Sequence, residues 1–284
     1  MGDILLGGLS MKKVLCAVLL IVVFAGSAYA AKTGVLSRLD FPAELFEHDV
    51  KMDVVKKYVR TTADSRNLKP GDVEFKYYDS MVALMMALNA GEIDGILLPE
   101  CTADYVLRVN PHTDAHGFIL INGWMTLVMG LKEGNEALRD KISAAINEMT
   151  KDGTLPLLVM YHVQGPEVRE PKPTAFDHFD GAETLKVALT GDFPPIDYVD
   201  AGGKAAGYNT AMLAELGRRL HMNVQLVYTE TASRAAALMS GRADVVFWFK
   251  LHSGQGGQFD VPEGIITTAP YYGWNKIFDI RLEK

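Results

Sequence analysis

The sequence predicts an α/β protein of two related lobes built on mostly parallel sheets. Three observations carry this. Short apolar runs alternate with stretches of helical period along most of the chain, the order that produces βαβ crossovers. A unit reading Ala-Leu, two residues, Gly, two residues, Asp and an apolar run occurs at 87–98 (ALNAGEIDGILL) and again at 237–248 (ALMSGRADVVFW). Between the copies, 164–183 (QGPEVREPKPTAFDHFDGAE) has three prolines, many charges and no periodicity, and reads as a linker. Any α/β protein contains a helix, a glycine stop and a strand. The same positions matching at the same spacing argue for two related lobes.

Taken in order, KTGVL (32–36) reads as a buried strand and PAELFEHDVKMDVVKKYVR (42–60) as a helix whose basic residues form a solvated face. NLKPGD is a turn and VEFKYY a strand. Asp79 or Ser80 then caps a helix through Asn89, which Gly91 ends. The strand DGILL follows, then the helix TADYVLRVN, stopped by Pro111. FILIN and MTLVMGL read as strands. NEALRDKISAAINEMTKDG is a helix with Asn135 as cap and Gly153 as stop, and LPLLVMYHV a further short helix. After the linker come the strand LKVALT, the helix TAMLAELGRRLHM, the strand NVQLVY, the helix SRAAALMSG and the strand DVVFWF. SGQGGQ is a flexible loop, and NKIFDIRL a last strand. Short apolar strands of this kind are buried on both faces by helices.

The amino terminus has a different character. MKKVLCAVLLIVVFAGSAYA begins with Lys12 and Lys13 after Met11, runs apolar through Phe24 and ends in Ala28-Tyr29-Ala30. That is the three-part pattern of a secretory signal peptide, with cleavage after Ala30. Residues 1–10 add nothing to it and fall upstream of the start expected at Met11. Cys16 lies in this segment, so the mature chain keeps only Cys101, which permits neither an internal disulfide nor a cysteine-based metal site. No later apolar stretch is long enough to span a membrane.

At 284 residues the chain has room for two modest domains, and its 49% hydrophobic and 22% charged residues are ordinary for a globular protein. A net charge of −7 argues against nucleic acid as a partner, because such binding needs a basic face. It leaves room for an anionic small ligand, since one local cation can hold a carboxylate.

With these elements placed, 185–249 (LKVALTGDFPPIDYVDAGGKAAGYNTAMLAELGRRLHMNVQLVYTETASRAAALMSGRADVVFWF) resembles the first lobe of family 3 bacterial extracellular solute-binding proteins, the periplasmic amino-acid receptors of ABC transporters. PPIDYVDAGGKAAGYN, LAELGRRL and ALMSGRADVV carry the likeness, and TTAPYY (267–272) resembles the segment that leads into that family's hinge. The first half is similar to the same family's second lobe. TGVLSR (33–38) resembles its opening strand and ligand loop, 74–111 its middle, and 124–163, with its KDGTL turn, its return strand and final helices. The pieces make one complete set in the wrong order. The resemblance therefore implies a type II periplasmic-binding-protein-like fold, circularly permuted, with a ligand cleft between the lobes; the rival is a fusion of two truncated receptors. It divides the chain into a signal peptide (1–30), a lobe like the family's second (31–122), a return strand with final helices (123–163), a Pro-rich linker (164–184) and a lobe like the family's first (185–284).

In open α/β sheets ligands bind at the carboxyl ends of strands. That rule nominates Ser37 and Arg38, Glu100 with Cys101 and Thr102, Asp192 and Phe193, and Trp248 and Lys250; Tyr271, beside Tyr272, joins them from the hinge segment. Amino-acid recognition needs a guanidinium for the α-carboxylate, a carboxylate for the α-ammonium and aromatics around the side chain. The chain departs from the family at both charged places. The family follows its DVV strand with Thr-x-x-Arg, whereas FKLHSGQGGQFD (249–260) has no arginine, and Pro99 stands where the family has its acid. Lys250, Arg38 or Arg234 are left to hold a carboxylate, and Glu100 to serve as the acid after a one-residue shift. The alternatives are core packing for Phe193 and Trp248, a hinge lining for Tyr271, and solvated charges for Lys250, Arg38 and Glu100.

His112 and His116 are four apart, but Pro111 and Gly117 suggest a loop, so no metal site is expected there. There is no Gly-x-Ser-x-Gly elbow, and SGQGGQ lacks the lysine of a phosphate loop. The function expected is a periplasmic receptor, a monomer without cofactor or catalytic residues, that passes a small polar solute to the permease of an ABC transporter. A dehydratase-like enzyme on the same fold, or a ligand-sensing domain acting through a separate partner, are the other readings. If the leader is processed as expected, the intact mass of the exported protein will correspond to 31–284; a mass that retains residues 1–30 would show an uncleaved anchor instead.

Overall fold

The computed structural model describes residues 31–36, 73–164, 174–200, 202–252 and 261–283. The expected signal segment, the helix at 42–60, the NLKPGD turn and the SGQGGQ loop lie outside them, as do Ser37 and Arg38.

The amino-terminal lobe starts with two parallel strands, β1 (Ala31–Leu36) and β2 (Val73–Tyr78). Helix α1 (Met81–Asn89) follows, its first turn capped by Ser80, whose Oγ accepts from the Ala83 N–H at 3.2 Å. Strand β3 (Gly95–Pro99), buried at every residue, pairs parallel with β1, and helix α2 (Glu100–Val109) leaves its carboxyl end directly. The chain then enters β4 (Thr113–Lys132), one strand of 20 residues where the sequence suggested two.

Helices α3 (Glu136–Lys151) and α4 (Thr154–Val159), with a π turn at Met160–Gln164, come next. The carboxyl-terminal lobe holds β5 (Thr184–Leu189), a small antiparallel sheet of β6 (Asp192–Phe193), β7 (Asp197–Val199) and β8 (Ala205–Ala206), helix α5 (Tyr208–Leu220), β9 (Asn223–Tyr228), helix α6 (Arg234–Met239) and β10 (Val245–His252). Strand β11 (Ile265–Thr267) and the long β12 (Tyr272–Leu282) close the chain. Helices α3 and α4 pack on α5, and the π turn on α2.

Among the described residues one sheet runs through both lobes in the order β2-β1-β3-β12-β4-β10-β5-β9, with β11 also on β4. The first half of β4 pairs with β12 (Thr113↔Leu282 through Leu120↔Lys276), and its second half with β10 and β11. Each lobe therefore has the same arrangement. Three parallel strands lie in the order second, first, third (β2-β1-β3 and β9-β5-β10), followed by one antiparallel strand and a last strand (β12 and β4; β4 and β11).

The repeated sequence unit occupies equivalent places. Gly91 and Gly241 turn the chain at φ 71° and 73°, conformations that suit glycine. Asp94 and Asp244 precede the strands and do the same work. Each accepts from a backbone N–H of the neighbouring first strand (Lys32 to Asp94 Oδ2, 2.8 Å; Lys186 to Asp244 Oδ2, 2.9 Å). Each also donates its own N–H to that lysine's carbonyl, at 2.8 Å in both lobes. The aspartate is thus a register pin between strands one and three.

The segment read as a linker is described from residue 174 onward. Residues 174–183 lie on the carboxyl-terminal lobe. The Asn223 side chain brackets them, accepting from Phe179 N (2.8 Å) and donating to the carbonyls of Phe179 and Ala182. The Phe179 ring rests 4.4 Å from that of His221. His116 falls on β4 and not in a loop, whereas His112 lies in the turn before it. No helix among the described residues is long and apolar enough to cross a membrane.

Asp94→Ala and Asp244→Ala should each lower unfolding stability by about 1 kcal/mol, and by similar amounts because the two bonds are equivalent; denaturant midpoints measure this. Gly207, at φ 103°, starts α5 with the Tyr208 and Asn209 N–H groups on the carbonyls of Pro195 and Ile196. A Cβ there would stand 2.6 Å from the Pro195 oxygen, so Gly207→Ala should cost about 2 kcal/mol or more.

Candidate functional site

β4 runs from the base of one lobe to the base of the other. Its middle, 121–124, faces a single residue of β12, Asn275, because the register jumps from Trp274↔Met125 to Lys276↔Leu120. This irregularity is the junction of the lobes. Pro99 pairs with Ile277 just past it, and His252 pairs with Trp124 just before it. The parallel strands of both lobes therefore point their carboxyl ends at this junction.

The residues nominated from sequence fall as follows. Glu100 is the first residue of α2, and its Oε1 accepts from Lys276 Nζ at 2.9 Å. Thr102 is fully buried in the next positions of that helix, its Oγ1 3.8 Å from Cys101 Sγ. Asp192 and Phe193 form β6, with Phe193 in the main core. Trp248 is buried on β10 under the Arg234 guanidinium, 4.5 Å from the ring centroid. Lys250 follows on β10, its carbonyl accepting from Thr126 Oγ1 at 3.1 Å. Tyr271 is buried, donates from its hydroxyl to Asn209 Oδ1 at 3.1 Å, and accepts on its carbonyl from Tyr208 (2.8 Å).

Phe193 lines a cavity of about 20 Å³ in the carboxyl-terminal lobe with Asp197, Asn209, Arg234 and Phe247, which is room for about one water. Its two charged side chains are employed in holding the lobe together. Asp197, 4% exposed, accepts from Thr190 N and Oγ1 and from Gly191 N. Arg234, 6% exposed, donates to the carbonyls of Thr231 and Phe247 at 3.0 Å. Buried charges persist only when hydrogen-bonded in this way. Arg234 thereby ties the start of α6 to β10.

Tyrosines fill the junction. Tyr208 of α5 contacts Tyr271 and Tyr272 at centroid distances of 6.0 and 5.5 Å, and Tyr272 contacts Trp274 at 5.8 Å. Tyr105 of α2 meets Tyr198 of β7 across the lobes at 6.4 Å. Burial raises the pKa of Tyr208, Tyr271 and Tyr272, so these hydroxyls stay neutral. Burial likewise pushes the Cys101 thiol up to about 12, against hydrogen bonds from Thr102 and Tyr272 that lower it. Cys101 is then a packed side chain and not a nucleophile.

Charge at the edge of the junction comes from α2 and β12. Glu100, Asp104 and Arg108 lie at i, i+4 and i+8 on α2, and Lys276 reaches them from β12. Burial raises the Asp104 carboxyl, opposed by Arg108 and Lys276. The Glu100–Lys276 pair has side chains 35% and 38% exposed, so as a surface bridge it contributes at most about 1 kcal/mol to stability.

Sequence reasoning missed Lys276, Asp197, Asn209 and Tyr208 as neighbours of the site. Asp197 follows the Pro194-Pro195-Ile196 run already singled out, a local signal that was available. Lys276 had none, being 176 residues from Glu100. Among the described residues no group of three or more His, Cys, Asp and Glu is placed to hold a metal ion.

Comparison with known proteins gives one sequence match. Residues 185–249 match the family of bacterial extracellular solute-binding proteins, family 3. No curated protein matches the chain. Solved structures similar to it include a zinc-bound ligand-binding component of an ABC-type import system from Staphylococcus aureus, 13% identical over 89% of this chain and 66% of that one, with a TM-score of 0.43. The PBP AgaA from A. tumefaciens R10, in complex with agropinic acid, is 12% identical over 74% and 55%, at 0.39. HinK, a LysR family transcriptional regulator from Pseudomonas aeruginosa, is 10% identical over 95% and 71%, at 0.40. The chain spans about two thirds or less of the first two. At these scores the likenesses carry no weight, and the architecture stands on the strand order itself. By sequence, the lobe built from 185–249 resembles family 3 bacterial extracellular solute-binding proteins, and by strand order the described chain has a two-lobed, type II periplasmic-binding-protein-like fold.

Proposed function

We propose that the protein is an exported receptor that captures an amino acid or a similar small polar solute between its lobes and delivers it, unchanged, to the membrane permease of an ABC transporter. The observation that carries this reading is the convergence of both sets of parallel strand ends on one hinge, in a chain whose 185–249 match a family of extracellular solute-binding proteins. Two lobes joined by two crossing strands can close around a ligand by bending at the crossing. In this reading Ser37, Arg38, Glu100, Thr102, Asp192, Phe193, Trp248, Lys250 and Tyr271 surround the ligand when the lobes close. The protein acts as a monomer, without cofactor or metal.

One feature supports permutation. Ala31 and Leu282 lie at the same end of the amino-terminal sheet on either side of β3, as the registers Thr33↔Gly95 and Ile280↔Ile96 place them. With strands about 4.8 Å apart, these two positions are about 10 Å from each other, close enough for a short connection between them. We read 31–122 with 123–163, and 185–284, as the two lobes of one receptor in permuted order, joined by 164–184.

Thermal unfolding of the exported protein, stripped of bound solute, tests the function against the twenty amino acids, small carboxylates and small amines. A solute at ~100 times its dissociation constant should stabilise the native state by about 2.7 kcal/mol, a visible rise in midpoint. A well-folded protein that no such solute stabilises would overturn the receptor reading. Turnover of a cyclic dicarboxylic acid would replace it with an enzyme.

A further inference from the structure

We propose that Tyr105 and Tyr198 form a latch between the lobes: their ring contact favours the arrangement with the lobes together and so sets how readily the protein opens. The latch rests on the receptor reading for its purpose. It concerns the opening equilibrium and not which solute is held.

Both rings stand on firm supports. Tyr105 lies on α2, a helix held to the amino-terminal lobe by the buried residues Cys101, Thr102, Ala103 and Val106. Tyr198 lies on the central strand of the small sheet in the other lobe, paired with Asp192 of β6 and Ala206 of β8. The residue before it, Asp197, is 4% exposed and fastens β7 to the end of β5 through Thr190 and Gly191. Neither ring can follow the other when the lobes part, so the contact exists only while they are together. It has company on the same side. Helix α1 of the amino-terminal lobe packs on β6, so the small sheet meets both α1 and α2.

The chemistry suits a latch that must also release. The rings are tilted at 41° with centroids 6.4 Å apart, within the separation over which aromatic pairs attract. Among the described residues neither hydroxyl has a hydrogen-bond partner, so the rings carry the contact. Burial raises the pKa of both hydroxyls, and at Tyr198 the neighbouring Tyr105 and Asp200 raise it further. Both rings therefore stay neutral, and the contact needs no charge to be stripped of water when it forms. An aromatic pair shifts a two-state equilibrium about two- to tenfold, enough to bias opening without preventing it. Because the rings touch each other and not the solute, changing them alters the affinity for every solute by one common factor.

The test measures the distance between spin labels on Glu92→Cys and Gln225→Cys, exposed positions of the two lobes, in the exported protein with no solute added. Cys101 is buried and takes no label. A short and a long separation are expected, for lobes together and lobes apart. Tyr105→Ala and Tyr198→Ala should each move the ratio toward the long separation about two- to tenfold. The double variant should go no further than either single change, because all three remove one contact. Tyr105→Phe and Tyr198→Phe keep the rings and should stay within about twofold of native, which separates the lost contact from damage to the fold. An unchanged ratio in both alanine variants would overturn the latch. So would alanine effects that add in the double variant, or a phenylalanine variant that opens as far as its alanine counterpart. For any two solutes found by thermal unfolding, the alanine variants should change both dissociation constants by the same factor; different factors would make the tyrosine a ligand contact and end the proposal. The distances are taken without solute, so a failed latch leaves the receptor reading standing. A failed thermal screen removes the receptor and leaves the distances to decide the latch.

Discussion

Two strands hold this molecule together. β4 and β12 are each long enough to cross from one lobe to the other, and they do so side by side and antiparallel. Because a sheet is a row of paired backbones, a strand that contributes its first half to one sheet and its second half to another fuses the two. Everything else is arranged around that crossing. The three parallel strands of each lobe are added outward from it, and their direction is set by antiparallel pairing with β12 or β4. That is why both sets of carboxyl ends, and the helix starts that follow them, face one another. The four-residue stretch of β4 opposite Asn275 interrupts the ladder where the two lobes join.

The repeat in the sequence has a physical meaning at this level. In each lobe the third parallel strand must be registered against the first, although a crossover separates them in the chain. The aspartate of the repeat does this by exchanging bonds with the same backbone residue of the first strand, Lys32 in one lobe and Lys186 in the other. The glycine three residues earlier supplies the left-handed turn that ends the helix. A helix end, a turn and a strand registration are thus packed into eight residues, and both lobes use the same solution.

The distribution of charge divides the molecule into buried charges that serve the backbone and part-exposed charges that pair with each other. Inside the carboxyl-terminal lobe the buried arginine and aspartate serve the backbone. At the junction, burial keeps the tyrosines neutral, and the hydroxyls of Tyr208 and Tyr271 donate to the Tyr271 carbonyl and to Asn209 Oδ1. The part-exposed pair Glu100–Lys276 joins the start of α2 to β12. Tyr105 and Tyr198 bring one aromatic ring from each lobe together there, tilted at 41° with centroids 6.4 Å apart.

What the sequence by itself determined was local. The alternation of strand and helix, the Ser80 cap, the glycine stops and the paired repeat all rest on interactions within a few residues, and so left a readable pattern; family likeness added the order of the pieces and the strand-end loops. Where local rules conflicted with tertiary demands, the sequence misled. β4 looked like two strands, FILIN and MTLVMGL, separated by Gly123 and Trp124, yet pairing with β12 and β10 on either side keeps it continuous. The proline-rich linker looked detached, yet Asn223 and His221 hold its second half. The partners of the site's charged residues were decided only by the tertiary structure. Glu100 was legible as a strand-end acid, but Lys276 is 176 residues away and meets it solely because β12 lies beside β3. Arg234 was a candidate cation until folding placed carbonyl oxygens around it. Charge is printed in the sequence, but whether it is spent or available depends on what the fold brings within three ångströms of it.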